Sequence, residues 1–395
     1  MRLFYLKPVW HRSGDIGLVP LRLTIFALLF SWSCLGGMSS LVAADKVWEK
    51  VDKIIDVNFS ETPFDDAMAE MSKKIGVPIR LDEDGLDDVG APARVKVSAG
   101  FSQMTGGALL SLILEERGLT WTIEEEGLAI TSIERMEAAF RTETHSLLTL
   151  GAIGRNSKEL AEVLQEVTEG IEGMHWKSPD DDEAEGTLVA EPGRLSVTQH
   201  RAGQEVIADA LRQVRRAVSK RSFPLTQHEQ ADVYLKNLLA KEASCDFQKQ
   251  PLDAAVRAIA KQYRVPNWIN YASLSRHEVH HDTPVTLTVD KAPLSELMDR
   301  LLHESDLEWG IRDEVVYIAA REEYESYAEL QIVNVSKLLI SHGGAAQLIK
   351  EVQELDPKST WGAEGGKVRE LGGLLFIRQT PSTQRQIGKF LNSGS

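Results

Sequence analysis

Histidines and carboxylates crowd one short stretch, 277-HEVHHD-282, where His277, His280, His281 and Asp282 together offer the donor atoms of a zinc or copper site. A metal needs three or four such donors converging on one point, most simply from a helix at i, i+4 or from facing elements. Here the donors fall in a loop just before a strand. The spacing favours a solvated histidine loop, and leaves open a metal-binding protein or enzyme that uses residues His277 to Asp282. The acidic stretch 180-DDDEAEG-186, counted from Asp181, puts acids at positions 1, 3 and 5 of a calcium-type loop and Gly186 at position 6. Position 12 is Pro192, where a bidentate glutamate belongs, so the stretch reads as a surface loop. Gly343-Gly344, Gly365-Gly366 and Gly372-Gly373 lack the spacing of a dinucleotide or phosphate loop, and read as caps and turns. No serine occupies a Gly-x-Ser-x-Gly elbow, and no nucleophile or acid/base set emerges. The expectation is a protein without catalytic residues, resident metal or cofactor.

Composition narrows the setting. The 395 residues carry 59 Asp+Glu against 44 Lys+Arg, a formal net charge of −15. That balance argues against a nucleic-acid phosphate surface, and no basic Gly-x-x-Gly loop is present. Residues 1–44 resemble an export signal: Arg2, Lys7, Arg12 and Arg22 precede an uncharged run from Leu23 to Ala44. Small residues Val42, Ala43 and Ala44 suggest cleavage between Ala44 and Asp45, with an uncleaved anchor as the alternative. Cleavage would leave 40 basic against 58 acidic residues, net −18, and Cys245 as the only cysteine. One cysteine makes no internal disulfide, and its spacing from Phe247 puts both on one strand face, as small and large core residues.

The elements that must position these residues occur twice. The stretch 283-TPVTLTVDKAPLSELMDRLLHESDLEWGIRDEVVYIA-319 reads as strand, helix, strand, tight turn and strand, and residues 97–131 read the same way. Sliding residues 59–130 onto 247–318 gives 17 identities in 72 positions, against on the order of 4 by composition alone. The matches include Phe59/Phe247, Pro63/Pro251, Val77-Pro78/Val265-Pro266 and Trp121/Trp309. Following each copy comes a strand, a helix, a hairpin and an amphipathic helix. The strand is expected over 145–150 and again over 329–334, with helices at 157–168 and 343–354 and closing helices at 202–219 and 381–391. Residues 82–93 read as an acidic loop, and 220–230 as a linker ahead of a helix over 231–242. Large aromatics in such small units must serve as core, which selects Phe59, Trp121, Phe247, Trp309 and Trp361. The fold class expected is α+β: tandem duplicated pairs of small βαβ and βαββα domains, with helices packed on small mixed sheets.

The first unit of each pair resembles the short N-terminal domain shared by secretins and TonB-dependent receptors. The residues are Phe59-x3-Pro63-Phe64-x2-Ala67, Val77-Pro78-Ile79, Leu109 to Leu114 and Leu119-x-Trp121-x-Ile123. The second copy carries Phe247-x3-Pro251-Leu252, Asp282 to Leu287, Pro293-Leu294-x2-Leu297 and Leu307 to Ile318. The second unit, Trp361 through Leu391, is similar to secretin N-domains of the ring-building kind and to related repeats of planctomycete-type envelope proteins. The resemblance implies a signal peptide over 1–44, short N-terminal domains at 45–138 and 231–324, N-domain-like modules at 139–220 and 325–395, and a linker at 221–230. It also implies a periplasmic or envelope scaffold that binds secretion-system proteins or itself, and that touches membrane only through its N-terminal signal. No run of amphipathic strands follows residue 391, so no pore or barrel is expected from these residues.

Overall fold

Pro63 and Pro251 open the same event twice. Each ends a ten-residue strand and starts a helix, at φ −52° with ψ 142° and 136°. Proline costs little there because the first-turn N–H has no intrahelical partner. The computed structural model describes residues 47–90, 95–124, 127–177, 185–219, 225–326, 328–355, 361 and 365–393.

The first half holds β1 (Ile54–Pro63), α1 (Phe64–Ile75), β2 (Ile79–Leu81), α2 (Glu83–Asp88), β3 (Lys96–Thr105), α3 (Gly106–Glu115), β4 (Leu119–Ile123), β5 (Leu128–Ser132) and α4 (Ile133–Glu137). It continues with β6 (Arg141–Ser146), α5 (Gly151–Arg155), α6 (Ser157–Thr168), β7 (Thr187–Glu191), β8 (Arg194–Gln199) and α7 (Arg201–Val218). The second half begins with α8 (Gln227–Leu239), β9 (Glu242–Pro251), α9 (Leu252–Tyr263), β10 (Asn267–Ile269) and α10 (Tyr271–Arg276). There follow β11 (Pro284–Pro293), α11 (Leu294–His303), β12 (Leu307–Arg312), β13 (Val315–Ala320) and α12 (Arg321–Ser326). The last elements are β14 (Glu329–Asn334), α13 (Ser336–Ser341), α14 (Ala345–Glu354), β15 (Lys367–Leu371), β16 (Leu374–Gln379) and α15 (Pro381–Ser393).

The fold is a mixed α/β arrangement of small sheets. Strands β1 and β3 form a two-stranded antiparallel ribbon, and β2-β5-β4 form a mixed sheet in which β2 runs parallel to β5. The β6-β8-β7 sheet is antiparallel. The second half repeats all three sheets in the same order: β9 with β11, β10-β13-β12, and β14-β16-β15. The polar detail repeats as well. Gln204 Nε2 donates to the Arg141 and Val197 carbonyls, both at 2.8 Å, and Gln384 Nε2 donates to those of Glu329 and Ile377 at 2.9 and 2.8 Å.

Five local expectations change. Within 82–93 lies helix α2, anchored by buried Leu86. The strand expected over 145–150 sits earlier, at Arg141–Ser146, because Leu147 and Leu150 turn into the core through a 3-10 turn. The short strand at Cys245–Phe247 is the middle of ten-residue β9. A separate helix, α13, precedes α14, and Gly343 and Gly344 divide them at φ 75° and 110°, angles that favour glycine. Helix α8 starts inside the expected linker, where Thr226 and Glu229 form a reciprocal capping box.

The two copies pack on each other with helices between sheets. Val316 and Ile318 of β13 face their own helices, while Val315, Tyr317 and Ala319 on the opposite face join the core of the first copy. All six residues of β13 are buried. Helix α3, GGALLSLILE, is buried at every position but Ser111 and Glu115, whereas its counterpart α11 keeps a polar outer face. In the other pair of sheets, Ile332, Leu371, Leu374 and Phe376 join the core built by α6 and α7.

Candidate docking surfaces

The residues with the strongest chemical promise are not brought together. His277 is held between two carboxylates, Nδ1 at 2.8 Å from Glu322 and Nε2 at 3.4 Å from Glu323. His281 lies 3.7 Å from Asp253 and edge-on to Tyr271, and the His280 carbonyl accepts from Thr283. These contacts draw the imidazoles apart onto α12 and α9, and no group of three or more His, Cys, Asp or Glu among the described residues could hold a metal. Ala44, Asp45 and most of the acidic stretch at 180–186 lie outside the described residues. Cys245 is half-buried near the Leu287 carbonyl, and burial pushes its thiol up from the usual range.

Four of the five selected aromatics are buried: Phe59, Trp121, Phe247 and Trp309, at 4, 4, 8 and 3% exposure. Trp361 is half-buried at the rim of its cluster, bridged to Gly366, while Trp176 is the buried tryptophan of the equivalent group. The indoles Trp121 and Trp309 also mark a joint. Trp121 Nε1 donates to Ser111 Oγ at 3.1 Å and Trp309 Nε1 to Asp299 Oδ1 at 2.8 Å, equivalent positions on α3 and α11. The guanidinium of Arg201 lies 3.9 Å above Trp121, and that of Arg385 lies 4.0 Å above Trp309. By the alignment of Gln204 with Gln384, Arg385 stands at the position of Glu205, one helical turn from that of Arg201. The two copies therefore make the same cation–π joint from different turns of the closing helix.

A charged clasp ties the copies together where the chain passes from one to the next. Glu314, buried in the β12–β13 turn, accepts from Thr105 N at 2.9 Å and Thr105 Oγ1 at 2.7 Å. Thr105 is the N-cap of α3, so the clasp satisfies an otherwise unpaired helix-end donor. His228, half-exposed on α8, lies 3.7 Å from the same carboxylate. The Glu314 carboxylate raises His228 to about 9 despite desolvation. Burial tends to raise Glu314, but His228 and Thr105 together hold it below the ordinary carboxylate value. Alongside, Arg216 and Arg212 of α7 pair with Glu229 of α8. The signal for this clasp was faint: an Asp313-Glu314 turn without glycine, both residues at positive φ (47° and 63°).

The surfaces left over are strand edges. Each two-stranded ribbon has two, and its outward side chains are polar: Glu61, Ser98 and Asp56 on one, Asp246, Thr288 and Lys249 on the other. The edge of β14 is covered. Gln213 Oε1 accepts from Ile332 N at 2.9 Å, its Nε2 donates to the Leu330 carbonyl at 3.1 Å, and Asn334 bonds the Ala217 carbonyl. Among the described residues no side chain does this for β6.

No family model matches the chain, and no curated protein matches it. Solved structures similar to it come from secretion systems. One is the GspC-GspD complex of the type II secretion system of enterotoxigenic Escherichia coli, 14% identical, covering 42% of this chain and 100% of that one, with a TM-score of 0.17. Another is the N-terminal domain of the secretin XcpQ from Pseudomonas aeruginosa, 10% identical over 86% of this chain and 98% of that one, with a TM-score of 0.17. The Salmonella injectisome basal body proteins InvG, PrgH and PrgK match at 10% identity over 85% of this chain and 45% of that one, also with a TM-score of 0.17. These identities and TM-scores are too low to carry function across. No helix among the described residues is long and apolar enough to cross a membrane.

Proposed function

We propose that this chain is an exported, non-enzymatic scaffold of the cell envelope that docks other proteins, beside a secretion- or pilus-type apparatus. One observation carries the reading: two ten-residue ribbons, each only two strands wide and joined to no third strand among the described residues, present polar edges from a block whose apolar faces are buried between its own copies. Such edges take an added strand through main-chain hydrogen bonds. The residue resemblance to secretin N-terminal domains and the leader ending near Ala44 support the envelope setting. On this reading the folding units run over 45–138, 139–220, 231–324 and 325–395.

The test is a photo-crosslinker placed at Asn58 on β1 or Asp246 on β9, compared with Glu354 at the end of α14, in cells producing the full chain. Envelope proteins recovered from the ribbon positions and not from Glu354 support the proposal. Equal recovery at all three, or none, overturns it.

A further inference from the structure

The edge of β6 has a partner that its own sequence specifies. Register places Thr144 opposite Ser196 and Ile332 opposite Phe376, so Thr144 stands where Ile332 stands in the other copy. Ile332 N and the Leu330 carbonyl point outward to Gln213. The Thr144 N–H and Thr142 carbonyl therefore point outward too, with no glutamine to meet them. The residue at the Gln213 position in α15 is Ser393, too short to cap such an edge in another copy.

We infer that β6 pairs with β6 of a second copy of this chain, antiparallel about a two-fold axis between the two Thr144 residues. The sequence 141-RTETHS-146 is self-complementary in this register. Thr144 meets Thr144 and exchanges N–H···O bonds in both directions, and Thr142 meets Ser146. The hydroxyl row already formed inside the sheet, Thr142 to Thr198 at 2.8 Å and Thr144 to Ser196 at 3.4 Å, continues across the axis. On the other face Glu143 meets His145 twice. Glu143 and His145 are both half-buried on that face. Glu143 is held by Arg141 at 3.1 Å, so the pairing adds a histidine to an existing ion pair rather than burying a bare carboxylate. Moving the axis to Glu143 would place Glu143 opposite Glu143, which like charge disfavours. The result is one six-stranded sheet across two copies, closed by symmetry. The inference rests on the docking-scaffold reading and names one of its partners.

Sedimentation velocity of the full chain from about 1 to 100 µM brackets the affinity of so small an interface. A reversible dimer is expected. Thr144→Pro removes the outward N–H and should weaken it about tenfold or more, since each copy loses a hydrogen bond. Glu143→Lys should also weaken it, and Glu143→Lys with His145→Glu should restore it, which misfolding would not do. A chain that stays monomeric throughout, or a dimer indifferent to both substitutions, overturns the inference. A monomer that still crosslinks envelope proteins from Asn58 overturns this pairing alone; a β6-dependent dimer that captures none overturns the docking reading alone.

Discussion

Strands 194-RLSVTQ-199 and 374-LLFIRQ-379 occupy the same place in two sheets with the same register, yet their outer faces have opposite character. In the first copy Ser196 and Thr198, with Thr142 and Thr144 beside them, face solvent or lie half-buried. In the second copy Phe376 and Arg378 replace them, flanked by Leu330 and Ile332. The inner faces hardly differ: Leu195 and Val197 match Leu375 and Ile377, all at 0% exposure. The ribbon-bearing pair differs in burial rather than polarity, Thr120 and Thr122 being half-buried where Glu308 and Gly310 are buried. The difference teaches where the neighbour lies. A sheet whose back is covered by another copy becomes apolar, and one at the end of a stack stays polar, as terminal repeats do.

Exchanging these residues should break the symmetry of effects. Phe376→Ser is expected to cost about 3–5 kcal/mol, because it opens a cavity against the helices of the first copy. The reciprocal Ser196→Phe should change stability by only about 0.5 kcal/mol, since surface substitutions rarely do more. Chemical melts of both variants measure this. Equal costs would mean that the two sheet backs are not in different environments.

The next largest effect belongs to the clasp that Glu314 makes with Thr105 and His228. Glu314→Ala should cost about 1–3 kcal/mol, because Thr105 N loses its partner inside the interface. Its pH dependence has two arms. His228 is raised from 6.5 to about 9, so its contribution is complete below pH 6.5 and is lost as pH rises through about 9. Glu314 is lowered from 4.5, so its contribution is present above that value and is lost as pH falls through the folded-state value. His228→Ala should therefore flatten the alkaline arm between pH 6.5 and 9 and leave the fold intact. Thermal melts across that range check it, and an alkaline arm unchanged in the variant would remove His228 from the clasp.

Periodicity made the repeated elements legible, because apolar residues at helical or alternating spacing report the inner faces shared by both copies. Phe59, Trp121, Phe247 and Trp309 could be chosen from the sequence for that reason. The outer faces were harder. The run GGALLSLILE of α3 is apolar all round, which is itself a mark of a helix buried on every side, but nothing in it names the covering sheet. The histidines at 277–281 drew attention by type, yet a type says nothing about convergence, and Glu322, Glu323 and Asp253 separate them. Gln213 carries no motif at all. Its role appears only when α7 and β14, more than a hundred residues apart, are seen side by side.

Gln213 offers a finer test of the same contrast. Gln213→Ala should cost about 1–2 kcal/mol by leaving Ile332 N unsatisfied at a half-covered edge. Measured dilute enough to keep the chain monomeric, hydrogen exchange at Ile332 should then speed up toward that of Thr144, its counterpart on the uncapped edge. If Ile332 remains far slower than Thr144 in the variant, Gln213 is not what distinguishes the two edges.

The smallest expected effect lies at one pair of equivalent positions, Arg141 and Glu329. Arg141 begins β6 in solvent, whereas Glu329 begins β14 among Tyr324, Glu308 and α15. Burial pushes Glu329 up to about 7, with Lys236 and Arg385 only partly offsetting it. A carboxyl raised in the folded state favours folding most below its ordinary 4.5, and that advantage is lost as pH rises through about 7. Glu329→Gln keeps the shape without the charge, so it should leave stability unchanged near pH 5 and raise it slightly at pH 8. The melting temperature at those two pH values decides it, since a gain at both would reflect packing rather than charge. The enclosure comes from Gly310, Tyr324 and Glu308 of its own copy, which meet at the start of β14, whereas the start of β6 is open to solvent.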